Sequence, residues 1–291
     1  MQDKHSGKHV DEITGVETTG HVWDGIRELN NPLPRWWLWT FYLTIIWAVI
    51  YAILYPSIPL ISGNTKGLLG YSSRAEVAQE MSVAKGAQSE YLQQIADLPI
   101  GDIAANQELL QFALAGGSAA FKVNCVQCHG SGAQGSAGYP NLNDDDWLWG
   151  GSTEAIYETL LHGIRFDQDD DTRVSEMPAF ADVLEPDQIK QVAAYVVSLT
   201  GSVTDTALVE PGRELYVENC AACHGDAAEG GQDFGAPNLA DAIWFYGSTE
   251  DAIAAQIKTP KHGVMPAWGE RLGDVTVKQL AVYVHSLGGG E

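Results

Sequence analysis

Residues 117–129 read GSAAFKVNCVQCH and residues 212–224 read GRELYVENCAACH, and the fold is decided by these two stretches. Each ends in Cys-x-x-Cys-His, as Cys125, Cys128 and His129 and again as Cys220, Cys223 and His224, which uses all four cysteines of the chain. Two thiols about one helical turn apart can accept the vinyl groups of a haem, and an imidazole directly after them can bind its iron from one side. The pattern also occurs in thioredoxin-like redox pairs and in half of a zinc site. Neither context fits: both copies carry the trailing His, no strand pattern precedes either, and no second Cys or His pair follows at zinc-finger spacing. The motifs therefore predict two haem c groups, held covalently by Cys125, Cys128, Cys220 and Cys223, with His129 and His224 as iron ligands.

Working outward, the second half of the chain restates the first. Gly117, Phe121 and Cys125 match Gly212, Tyr216 and Cys220 at an offset of 95 residues. Further on, Pro140-Asn141-Leu142 matches Pro237-Asn238-Leu239, Trp147 matches Trp244, and Met177-Pro178-Ala179 matches Met265-Pro266-Ala267. In each copy a Ser N-cap (Ser152 or Ser248) opens a helix with apolar residues four apart. A closing helix runs from Pro186 to Thr200 or from Thr276 to Leu287, ended by Gly201 or Gly288. The reading is all-α, with one haem domain over 111–202 and a second over 203–291. Gly117 and Gly212 are read as packing residues that let the first helix of a domain cross the last closely, against Tyr195 or Tyr283.

The sixth iron ligand must come from further along the chain. Of four methionines, Met177 and Met265 occupy equivalent positions, and they are taken as axial ligands, a thioether there raising the potential and closing the iron. His162 and His262 also match across the copies and are the rival ligands; the fixed backbone of Met-Pro, on the loop before the last helix, favours methionine. The carbonyls of Pro140 and Pro237 are placed to accept a hydrogen bond from the ligand imidazoles, although plain loop punctuation explains these prolines too. The first copy carries an insertion, Ile164 to Glu176, with Asp167, Asp169, Asp170 and Asp171; it lacks the glycine and ligand order of a calcium loop and is read as a solvated acidic loop.

Upstream, Trp36 to Tyr55 is 20 residues without a charge, enough at about 1.5 Å per residue to span a bilayer core of roughly 30 Å. Trp36, Trp37 and Trp39 at one end and Tyr51 and Tyr55 at the other suit the two interfaces. Residues 34–56 are expected to be an uncleaved transmembrane helix, residues 1–33 a polar cytoplasmic tail with room for a short amphipathic turn over Trp23 to Leu29, and residues 57–110 a helical periplasmic spacer broken near Pro99. Lys4, Lys8, Arg27 and Arg35 before the helix, against Lys66 and Arg74 after it, put the N-terminus inside. A net charge of −22 repels phosphate backbones, which excludes nucleic acid as a partner.

Residues 20–37, GHVWDGIRELNNPLPRWW, followed by one membrane helix and two class-I-like cytochrome c domains, resemble the di-haem subunit of cbb3-type cytochrome c oxidase. Some members of that family have two N-terminal membrane helices, whereas this sequence has a single one. The resemblance implies His/Met ligation at both haems and a place in the inner membrane of a bacterium. It also implies partners: a donor cytochrome c, a mono-haem subunit and the oxygen-reducing subunit of a proton-pumping oxidase. A membrane-tethered electron shuttle is the competing reading. A di-haem peroxidase would need an iron with an open position, which the paired methionines argue against. The chain is expected to have no catalytic centre of its own.

Overall fold

The computed structural model describes residues 9–202 and 205–288; Lys4 and Lys8 of the charge argument lie outside them. The architecture is mostly helical, with two small hairpins, and the chain divides into two units at Gly86.

The first unit begins with a hairpin of β1 (Thr18–Trp23) and β2 (Ile26–Leu29), where a polar tail with an amphipathic turn was expected. The turn is Asp24-Gly25, both with positive φ (48° and 85°), the two-residue geometry that suits the twist of paired strands. Helix α1 (Arg35–Leu54) follows Pro34 and has no buried residue, so its apolar surface is satisfied only by a non-aqueous surround. It is the one helix among the described residues long and apolar enough to cross a membrane. The hydroxyls of Thr40 and Thr44 donate back to the carbonyls of Trp36 and Phe41, which keeps both polar groups paired within the helix. After a two-residue hairpin of β3 (Pro59–Leu60) and β4 (Gly63–Asn64), the chain turns back and the N–H groups of Leu68 and Leu69 donate to the carbonyls of Ile53 and Leu54 at 3.0 and 3.1 Å. Gly67 is required there, because a Cβ would overlap the Leu54 carbonyl. Helix α2 (Ser73–Asp97) leads into the second unit.

The second unit holds α3 (Ile100–Ile103), α4 (Gln107–Asn124), α5 (Val126–His129), α6 (Thr153–His162), a 3-10 turn (Phe180–Asp182), α7 (Pro186–Leu199), α8 (Thr206–Asn219), α9 (Ala221–His224), α10 (Glu250–Lys258), α11 (Gly269–Leu272) and α12 (Asp274–His285). Asn106 caps α4 by accepting from the N–H groups of Glu108 and Leu109, and Ser152 caps α6 as expected. In the second copy the cap is Thr249, not Ser248: the Thr249 hydroxyl accepts from Ala252 N–H at 3.2 Å.

The two repeats of sequence are not the two units of packing. Helix α4 packs on α12, the closing helix of the other repeat, and α7 packs on α8. One core combines Leu109, Phe121, Ile156 and Leu160 with Val277, Leu280 and Ala281; the other combines Phe180, Val192 and Val196 with Tyr216, Ile253 and Ile257. A Cβ on Gly117 would overlap Gln279 and Tyr283, and one on Gly212 would overlap Gln191 and Tyr195. The close crossings read from these glycines are therefore present, with the partners exchanged. Physical reasons are at hand. The two first helices offer equivalent surfaces, glycine then aromatic one turn on, so either closing helix fits either. Between α7 and α8 the connection is short, and consecutive helices joined in this way pack as a hairpin. That leaves α4 for α12.

Candidate haem centres

Both Cys-x-x-Cys-His motifs sit where the first helix of a repeat breaks. Helix α4 ends at Cys125 and restarts as the single turn α5, and α8 ends at Cys220 and restarts as α9, so each trailing His projects from a fixed turn. The Nδ1 of His129 lies 3.2 Å from the carbonyl oxygen of Pro140, and that of His224 lies 3.0 Å from the carbonyl of Pro237. A carbonyl can only accept, so Nδ1–H donates in each and Nε2 is left as the lone-pair nitrogen that an iron requires. Burial pulls both imidazoles below their ordinary range, with the carbonyl contact opposing it, which favours the neutral ligand form.

The thiols carry the opposite signature from a redox pair. Burial pushes Cys125 and Cys220 up to about 11, with a smaller like-charge contribution from Cys128 and Cys223, whereas dithiol catalysts lower the thiol pKa. All four are free.

One cavity of about 400 Å³ runs between the two motifs, lined by both His/Cys sets and by Met177 and Met265. A smaller cavity, about 100 Å³, is bounded by Cys125, His129, Trp147, Leu160 and Met265 and by no residue of the second motif. Its wall contains the Trp147 indole N–H, buried without a hydrogen-bond partner. A buried donor left unpaired is costly, and an anionic propionate at a haem edge is the kind of group that would satisfy it. In a chain of charge −22, the large cavity is nonetheless lined by Arg165, Lys261 and His262. An apolar space with free thiols, imidazoles that leave Nε2 for a metal and one unpaired buried donor fits haem c.

The rival ligands are otherwise engaged. His162 lines neither cavity and its Nδ1 lies 3.1 Å from Asp169, while His262 Nε2 lies 3.1 Å from the Met177 carbonyl oxygen. The insertion Ile164 to Glu176 is more than a solvated loop. Asp167, Asp170 and Asp171 do face water, but Arg165 turns inward and donates to the carbonyls of Gly263 and Ser175, both at 2.7 Å, and Arg173 donates to Thr159 at 2.6 Å. Ile164 forms a two-bond bridge with Met265, 2.9 and 3.0 Å, so the insertion holds the methionine loop of the other repeat. The acidic count hid this, because the two arginines that do the holding are isolated in sequence.

Residues 15–62 match the family model for the N-terminal domain of cytochrome oxidase-cbb3, FixP, and residues 112–196 and 207–284 match that for cytochrome c oxidase, cbb3-type, subunit III. The chain belongs to the cbb3-type cytochrome c oxidase subunit III family. It is 62% identical over 291 residues to the cbb3-type cytochrome c oxidase subunit FixP of Rhizobium meliloti (strain 1021), covering all of both chains. It is 52% identical to subunit CcoP of Cereibacter sphaeroides, covering 94% of this chain and 95% of that one, and 49% identical to FixP of Azorhizobium caulinodans over the whole of both. The subunit III match falls on both repeats and stops short at 196, within α7, resuming at 207, within α8. Membership of this family implies haem c binding, in agreement with the fit above.

Proposed function

We propose that this chain carries electrons through two haem c groups, attached at Cys125 and Cys128 and at Cys220 and Cys223. It would take them from a donor cytochrome c and pass them, by way of a mono-haem partner, towards the oxygen-reducing subunit of a cbb3-type oxidase. The observation that carries this reading is the pair of imidazoles, His129 and His224, each fixed by a proline carbonyl and both facing one continuous cavity. Haem c supplies a one-electron couple. The chain's own residues supply the rest. His129 and His224 would hold the iron through Nε2 and Met177 and Met265 through their thioethers, and the apolar wall around them would keep water from the couple. Arg165 and Lys261 line the cavity and would offset the negative charge of the propionates of a haem bound there. The helix α1 anchors the chain with its N-terminus in the cytoplasm and the haem-bearing unit in the periplasm.

Magnetic circular dichroism of the purified chain tests it. Two haems per chain are expected, each with the near-infrared methionine-to-ferric-iron band and neither binding carbon monoxide. One haem per chain, or carbon monoxide binding at either, would overturn the reading. Co-purification with other oxidase subunits after mild solubilisation is expected; a chain that always separates as a free species would favour the shuttle.

A further inference from the structure

The stretch after α1 returns to the helix it has just left. The N–H groups of Leu68 and Leu69 are bonded to the carbonyls of Ile53 and Leu54, so these leucines lie beside the last turn of the apolar helix rather than beyond it. In between, the chain folds back on itself. Strand β3 pairs with β4, Thr65 N–H donates to the Ile58 carbonyl at 2.9 Å, the Thr65 hydroxyl accepts from Ile58 N–H at 3.1 Å, and the Ser57 hydroxyl donates to the Ala52 carbonyl at 3.1 Å. Polar groups paired in this way suit a segment placed where water is scarce. Its apolar side chains point outward: Ile58, Leu60, Ile61, Leu68 and Leu69 are each more than half exposed, Ile61 at the hairpin tip completely. Of the 38 Asp and Glu residues in the chain none lies between Glu28 and Glu76, whereas Lys66 and Arg74 flank the leucine pair in sequence. Tyr55 and Tyr71 meet edge to face at 5.5 Å where the loop rejoins the helix end.

We infer that this loop is a second membrane contact: Leu60, Ile61, Leu68 and Leu69 enter lipid at the boundary where α1 leaves it, Tyr55 and Tyr71 lie at headgroup level, and Lys66 and Arg74 meet the phosphates of anionic lipids. The inference rests on α1 crossing the membrane and on nothing said of the haems. Lipid is the occupant the observations select, because the backbone hydrogen bonds hold the leucines at the depth of residues 53 and 54, and an apolar patch rimmed by tyrosines and cations is what an interfacial segment presents. The contact fixes the depth of α1, since sliding the helix along its axis would draw the loop into water or its cations into hydrocarbon.

Apolar photolabelling of the unaltered full-length chain tests it. The chain is reconstituted in vesicles of phosphatidylethanolamine and phosphatidylglycerol, labelled with an aryl diazirine dissolved in the bilayer, and digested with trypsin. Cleavage after Lys66 and Arg74 releases residues 67–74 as one peptide, separate from α1. Labelling of 67–74 several-fold above that of peptides from the haem-bearing unit is expected; labelling equal to theirs, with the α1 peptide strongly labelled, overturns the loop contact and leaves the anchor intact. An unlabelled α1 peptide overturns the anchor itself. In membranes of the producing cell, p-benzoylphenylalanine placed at Ile61 and, separately, at Leu68 is expected to yield phospholipid adducts on illumination. Adducts to another polypeptide in their place would show that a protein partner covers the patch and would overturn the inference.

Discussion

Around His129 and around His224 the same parts recur, a broken first helix, a proline carbonyl, a methionine loop and a borrowed closing helix, but the surroundings differ. The first site is braced from outside the repeat by Ile95, Ile100 and Ile103, which join its core, and by Lys278 of α12, whose Nζ donates to the carbonyls of Ile95, Ala96 and Leu98 at 3.2, 3.1 and 3.0 Å. Those carbonyls end α2, so the lysine serves as a C-cap supplied by another helix. In the core of the second site every residue comes from the repeats themselves. One position before the conserved-in-both-repeats tryptophan, the first site has Asp146 where the second has Ile243. Duplicated parts have thus been given separate environments, one fastened to a spacer and carrying a titratable group, the other self-contained and apolar.

The largest effect that would break this comparison comes from the helix crossings. Gly117→Leu would drive a side chain into Gln279 and Tyr283, and overpacking there is expected to cost about 3 kcal/mol. Thermal unfolding and haem content would register it, and Gly212→Leu should do the same through Tyr195. If Gly117→Leu were silent, the pairing of α4 with α12 would be wrong.

A smaller effect distinguishes the sites. Lys278→Met strips the cap from α2 while keeping the apolar stem, and unpaired carbonyls there are expected to cost about 2 kcal/mol. Urea denaturation followed at each haem should show the first site loosening and the second unchanged; equal loss at both would dissolve the distinction.

The smallest is a pH dependence confined to one site. Burial, then the nearby Asp241, Asp144 and Asp145, pushes the Asp146 carboxyl up to about 6. The folded chain therefore holds this proton more tightly than the unfolded one, so stability falls as pH rises from the ordinary carboxylate range to about 6. Allowing for its partial exposure, Asp146→Asn is expected to stabilise the protein at pH 7 by about 1 kcal/mol and to flatten the curve between pH 4 and pH 6. Ionisation also favours ferric over ferrous iron nearby, so the potential of a haem held at His129, as proposed, should fall across this window while that of one held at His224 stays level. Titration of both potentials in the wild-type and Asp146→Asn chains would decide it.

Much of this was legible in the sequence for a local reason. Cys-x-x-Cys-His, the proline carbonyls and the Ser152 cap act within a turn or a short loop, and each appears where its spacing put it. The apolar run of α1 was legible because length alone sets it. What escaped depended on partners distant in sequence. Nothing in a repeat says which of two equivalent closing helices it will bury, and the signal that decides it is the short link from α7 to α8. The Asp24-Gly25 hairpin had a readable turn signal, obscured by the polar composition of the tail around it. The inward arginines of the insertion and the capping by Lys278 involve residues up to 183 apart, and no periodicity reports them.

The borrowed helix also sets an order in time. A chain that emerges from its N-terminus delivers Cys125 early, but α12, the wall of that site, is among the last segments to arrive. The second site has its wall, α7, in hand before its own motif is made. The first motif made is therefore the last one sheltered, so its thiols stay exposed for the longest interval, while the second pocket can close as soon as its methionine loop is in reach.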